Sequence, residues 1–117
     1  MTTKHLIQVV DEELMKINVE TNPVRRSLSQ ISTNSLKRIR TQLQLNTDTR
    51  SIVDQLENEL VKYAFCVKEC ELEHISDSNP AAVLVHKWGE SLRVIFNRLR
   101  EDRRFASEIE RMVKKIA

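Results

Sequence analysis

Residues 80–117 read PAAVLVHKWGESLRVIFNRLREDRRFASEIERMVKKIA. No proline follows Pro80, and Gly89 is the only glycine in the chain. Trp88, Leu92, Ile95, Leu99, Ala106, Ile109, Val113 and Ile116 recur at helical spacing, interrupted only by Asp102. At 3.6 residues per turn these positions share one stripe, so the segment reads as amphipathic helix pressed against other helices. Unbroken, it would extend roughly 57 Å at about 1.5 Å per residue, long for a chain of 117 residues, and would favour self-association. A carboxylate within an apolar seam is unfavourable, and aspartate is a good N-cap. A break near Asp102 is therefore preferred, with Phe105, Ile109, Met112 and Ile116 as the stripe of a fifth helix folded back.

The rest of the chain agrees with this reading. Hydrophobic residues make up 40%, charged residues 31% and aromatics 4%, with one glycine and two prolines. Sheets need turns rich in Gly, Pro and Asn-Gly pairs, and these are nearly missing. The expected fold is all-α: a four- or five-helix, mostly antiparallel bundle with an aliphatic core. Residues 1–117 form one helical domain in this reading, large enough to bury a modest core without metal or disulfide.

The first helix is expected over about 3–19 with Leu6, Val10, Leu14 and Ile17 inward, ended by Asn22-Pro23. Residues 20–34 are rich in Ser, Thr and Asn and read as an exposed connection, although Leu28 and Ile31 suit a helical turn. A second helix follows over about 34–45 (Leu36, Ile39, Leu43 inward) and a third over about 49–75 (Ile52, Leu56, Leu60, Tyr63, Val67, Cys70 inward). Asp48 or Thr49 suits the N-cap of the third. Asn79-Pro80 is an N-cap followed by proline at the first helical position.

Charge alternates along the chain. Residues 1–20 hold two basic and four acidic side chains, 21–50 six and one, 51–80 two and seven, and 81–117 nine and five. Neighbouring helices of opposite sign are the simplest explanation. The alternative is a nucleic-acid surface built from Arg25, Arg26, Lys37, Arg38 and Arg40 with Arg103, Arg104 and Arg111. Interleaved acids and the lack of stacking aromatics weigh against it.

Cys66, Cys70 and His74 stand at i, i+4 and i+8, one side of a helix, and could offer three ligands to a zinc ion that wants four. Cys66 and Cys70 lie in apolar surroundings where a thiol also serves as a small hydrophobe. Arg25-Arg26-Ser27-Leu28-Ser29 places arginines at −4 and −3 from Ser29, a basophilic kinase pattern. No phosphate-binding glycine loop or nucleophile motif is present, so no cofactor and no enzymatic activity are expected.

Two thiols one helical turn apart without a secretion signal, and acids cutting short the first apolar stretch, point to an intracellular protein of cytoplasm or nucleus, without a membrane span. Gly89 in mid-helix costs roughly 1 kcal/mol relative to alanine; a close approach by another helix or a partner peptide would offset it. The expected function is therefore a non-enzymatic interaction or adaptor module. It would dock a partner helix or peptide near Trp88, Gly89, Leu92, Arg93, Ile95, Leu99 and Arg100, or form a homodimer through its C-terminal helix. A nucleic-acid-binding or transcription-regulating protein is the alternative, and a thiol or metal sensor the second. Leu84-x-x-x-Trp88 on a basic helix behind shorter helices resembles the helical N-terminal domains of transcription elongation factors. Gly89 departs from that pattern, where the family carries a charged or polar helix former.

Overall fold

The computed structural model describes residues 2–17, 23–76 and 79–116, with side chains for all of these but 23–29, 72, 80 and 116. They form five helices and no strand: α1 (Thr3–Ile17), α2 (Pro23–Gln44), α3 (Thr49–Leu72), α4 (Pro80–Glu101) and α5 (Ala106–Ile116). The all-α helical bundle read from the sequence is what is seen.

Helices α1, α3 and α4 are capped at their starts from their own sequence. Thr2 Oγ1 accepts from the His5 amide, Asp48 from Ser51 at 2.7 Å, and Asn79 from Ala81 at 2.9 Å, with Pro80 opening α4. The helix ends solve a problem posed by the single glycine. Asn46 (φ 52°) and His74 (φ 55°) take the left-handed conformation that normally falls to glycine. Around them Thr47 N bonds Gln42 O and Ile75 N bonds Cys70 O, and Asn46 N bonds Leu43 O and His74 N bonds Glu71 O. These are the paired bonds of a Schellman termination.

α4 is the central element, packing on each of the other four helices. The bundle measures 39 × 31 × 18 Å, and its thin dimension matches two helix layers at about 8–10 Å spacing. The core joins Leu6, Val10 and Ile17 of α1, Leu36, Ile39 and Leu43 of α2, and Ile52, Val53 and Leu56 of α3. To these it adds Trp88, Leu92, Ile95 and Leu99 of α4 with Phe105, Ile109 and Met112.

The C-terminal segment breaks where Asp102 stands. Asp102 ends α4, its amide bonding Leu99 O. Its carboxylate accepts from the Arg104 amide at 2.9 Å and from the Arg104 guanidinium, which also reaches Thr3. Aspartate therefore builds the turn two residues ahead rather than capping α5 itself. The reversal changes which stripe is buried: Phe105, Ile109 and Met112 face the core, whereas Ala106 and Val113 of the straight-helix stripe are exposed.

From residue 23 to 34 the expected exposed connection is corrected; the expected end of the first helix and the start of that connection, residues 18–22, lie outside the described residues. Helix α2 begins at Pro23, and within it Ser32, Thr33 and Ser35 are buried. Proline opens this helix instead of excluding it, and small hydroxyl side chains let α2 lie close to its neighbours.

A candidate partner cleft between the third and fourth helices

Gly89 lies against Tyr63 of α3. A Cβ at position 89 would stand 2.7 Å from Tyr63 Cε2 and closer still to Cζ and the hydroxyl, so any other side chain there would push the ring aside. The ring meets Trp88 edge to face, with centroids 5.6 Å apart and planes at 80°. Trp88 in turn donates its indole N–H to Ser35 Oγ at 2.9 Å, a buried bond between α4 and α2. The close approach that a mid-helix glycine implies is thus an intramolecular one.

Beside this contact an open cleft of about 610 Å³ runs between α3 and α4. Its apolar wall is formed by Leu60, Tyr63 and Phe96, all half-buried, and its rim by His86, Glu90, Arg93 and Asn97. His86 Nε2 lies 3.1 Å from Glu90 Oε1 across one turn of the rim. A shallower recess of about 170 Å³ shares Tyr63 and His86 and carries the cleft on to Val67, Cys70 and Ile75.

Of the expected partner-contacting residues, Gly89 and Arg93 line this cleft. Trp88, Leu92, Ile95 and Leu99 are at most 2% exposed and belong to the core. Arg100 is exposed and lies outside the cleft. Leu60, Phe96, His86, Glu90 and Asn97 were not singled out as site residues from sequence. For those on α4 the signal is the run His86, Gly89, Arg93, Phe96 at spacings of three, four and three, one step around the helix from the core stripe.

The basic positions are largely spent within the bundle. Arg38 donates to both carboxylate oxygens of Glu59 from one guanidinium edge, Nε at 2.9 Å and Nη2 at 2.7 Å, and Gln55 adds a bond at 2.7 Å. The Glu59 side chain is fully buried. Burial pushes its pKa up, but the bonds from Arg38 and Gln55 and the charges of Arg38 and Lys62 win, leaving it below the usual carboxylate range. Arg40 lies 2.8 Å from Asp11 as an ion pair too bent for a hydrogen bond. Arg111 holds Asp54 and Glu108, and Lys115 holds Glu57. Every inter-helix pair named here joins chain segments of opposite sign, which accounts for the alternation. Arg104 is held by Asp102. Lys37 and Arg103 are exposed and form no ion pair among the described residues; the side chains of Arg25, Arg26 and Ser29 lie outside them.

The proposed ligand triad does not assemble. α3 ends at Leu72, and His74 has left the helical register with positive φ, so it does not continue the face of Cys66 and Cys70. No group of three His, Cys, Asp or Glu suited to a metal ion occurs among the described residues. Both thiols are free and half-buried. Burial, then the nearby Glu69 and Cys70, pushes the Cys66 thiol pKa up, which disfavours the reactive thiolate. No described helix is long and apolar enough to cross a membrane.

Comparison with known proteins finds no matching family model, no similar curated protein and no similar solved structure.

Proposed function

We propose that this chain is a non-enzymatic interaction module that docks a partner peptide or helix in the cleft between α3 and α4. The observation that carries the reading is the cleft's construction, an apolar wall of Leu60, Tyr63 and Phe96 beneath a charged rim. An amphipathic segment offers the complementary surface: one large apolar side chain seated against Tyr63 and Phe96, and a carboxylate meeting Arg93. The fully buried Trp88, Leu92, Ile95 and Leu99 support the partner wall from behind. The docking reading is preferred to self-association through the C-terminal helix because Phe105, Ile109 and Met112 are already buried within the bundle.

The test is selection from a random displayed-peptide library against the full chain, followed by titration of enriched peptides into wild type, Arg93→Glu on the cleft rim and Ala82→Arg, which places a long charged side chain in the adjoining recess that Ala82 lines. Enriched peptides are expected to pair an aromatic or leucine anchor with a nearby acid and to lose about tenfold or more in affinity for Arg93→Glu. Peptides that bind all three proteins equally, or a library that yields none, refute the reading.

A further inference from the structure

α3 carries a second face that the cleft does not use. α5 runs beside its first half, where Arg111 meets Asp54 at 2.9 Å and Lys115 meets Glu57 at 3.1 Å. Beyond Glu57 the same side of α3 continues uncovered. Asn58, Val61, Lys62, Phe65, Lys68 and Glu69 are all exposed, with Phe65 at 64% and Val61 at 45%. Helical geometry places Phe65 about opposite the buried Leu56 and Tyr63 side, so this face points away from the bundle and from the cleft.

We infer that a second copy of this chain covers this face, its α3 packed antiparallel on the first about a twofold axis passing near Phe65 and Cys66. The argument is self-complementarity. In an antiparallel helix pair, flanking positions on one side of the seam meet the same side of the other helix. A twofold contact repeats every pairing. Centred there, Lys62 stands opposite Glu69 of the second copy and Glu69 opposite its Lys62. Asn58 faces Glu73 in the same way, and Phe65 and Val61 lie within the seam. One short stretch thus carries both halves of its own charge pattern around an exposed aromatic. The free stretch from Asn58 to Leu72 is roughly 22 Å long at about 1.5 Å per residue. Such a seam falls below the standard interface of about 1,200–2,000 Å², so the dimer is weak, with dissociation on the order of 100 μM.

Sedimentation equilibrium of the full chain from about 10 μM to 1 mM brackets that range. The wild-type mass is expected to climb toward that of two chains. Phe65→Ser and Glu69→Lys each weaken association about tenfold or more. Lys62→Glu does the same alone, yet an equimolar mixture of Lys62→Glu with Glu69→Lys associates again, because each then faces an opposite charge. Lys62 also stands 3.8 Å from Glu59, so helical circular dichroism checks every variant; if Lys62→Glu does not fold, the other two decide. A wild type monomeric throughout, or a dimer indifferent to Phe65→Ser and Glu69→Lys, overturns the inference.

Discussion

The ring of Tyr63 occupies the space that a side chain at position 89 would need. Alanine there gains about 1 kcal/mol of helix propensity, but it forces Tyr63 off the edge of Trp88. Gly89→Ala is expected to leave wild-type stability nearly unchanged, because displacing the ring offsets the gain, and to stabilise by about 1 kcal/mol when introduced into Tyr63→Ala. Urea unfolding of the four proteins checks it. Additive effects would show that the ring does not set the need for glycine.

Ser35 is expected to matter more than a serine in a helix usually does. Ser35→Ala leaves the buried indole N–H of Trp88 without its acceptor, a loss of about 1–3 kcal/mol. Trp88 is the only tryptophan, so its fluorescence reports both the stability and the local change. Unchanged stability and emission would mean that the bond contributes nothing.

The Arg38–Glu59 pair is expected to be unequal in its responses to mutation. Arg38→Ala strands a carboxylate with no solvent access and should cost about 2–3 kcal/mol. Arg38→Met with Glu59→Met, which removes both charges, should cost distinctly less. Equal losses in single and double variants, measured by denaturant midpoints at constant m-value, would contradict this account.

Acid stability follows from the same carboxylates. Glu59 is held below its ordinary pKa against the opposing effect of burial. Asp102 is held low chiefly by its bond from the Arg104 side chain. A group depressed in the folded state contributes stability above its unfolded pKa and loses it as pH falls toward the folded value. Stability should therefore be flat near neutrality and decline from about pH 5 downward. Glu59→Gln and Asp102→Asn should each start lower at pH 7 and show a shallower decline. Unfolding curves at several pH values decide it; identical slopes in wild type and both variants would exclude these two groups as the source.

Several elements were legible in residue order because local rules govern them. Asp48 and Asn79-Pro80 mark helix starts, since an N-cap bonds an amide two or three residues on. The stripe of Trp88, Leu92, Ile95 and Leu99 marks the core, since burial follows helical period. Gly89 signalled a close approach, although not by which neighbour. The misreadings arose where a residue type has two uses. Ser32 and Thr33 belong in loops by propensity, yet in α2 they are buried, and Ser35 beside them satisfies an indole 53 positions away. Glu59 carries no local signal of its burial, because its partner Arg38 comes from another helix.

Residue order alone determined that this chain is helical, where α3 and α4 begin, and which side of α4 is buried, because those outcomes depend on contacts within a few residues. Only the tertiary structure decided that Tyr63, rather than a partner, fills the gap at Gly89, that the cationic side chains Arg38, Arg40 and Arg111 answer acids on other helices, and that Phe65 is left outside. Each of these depends on which helix lies beside which, a choice made by the summed packing of the whole core and not encoded at any one position.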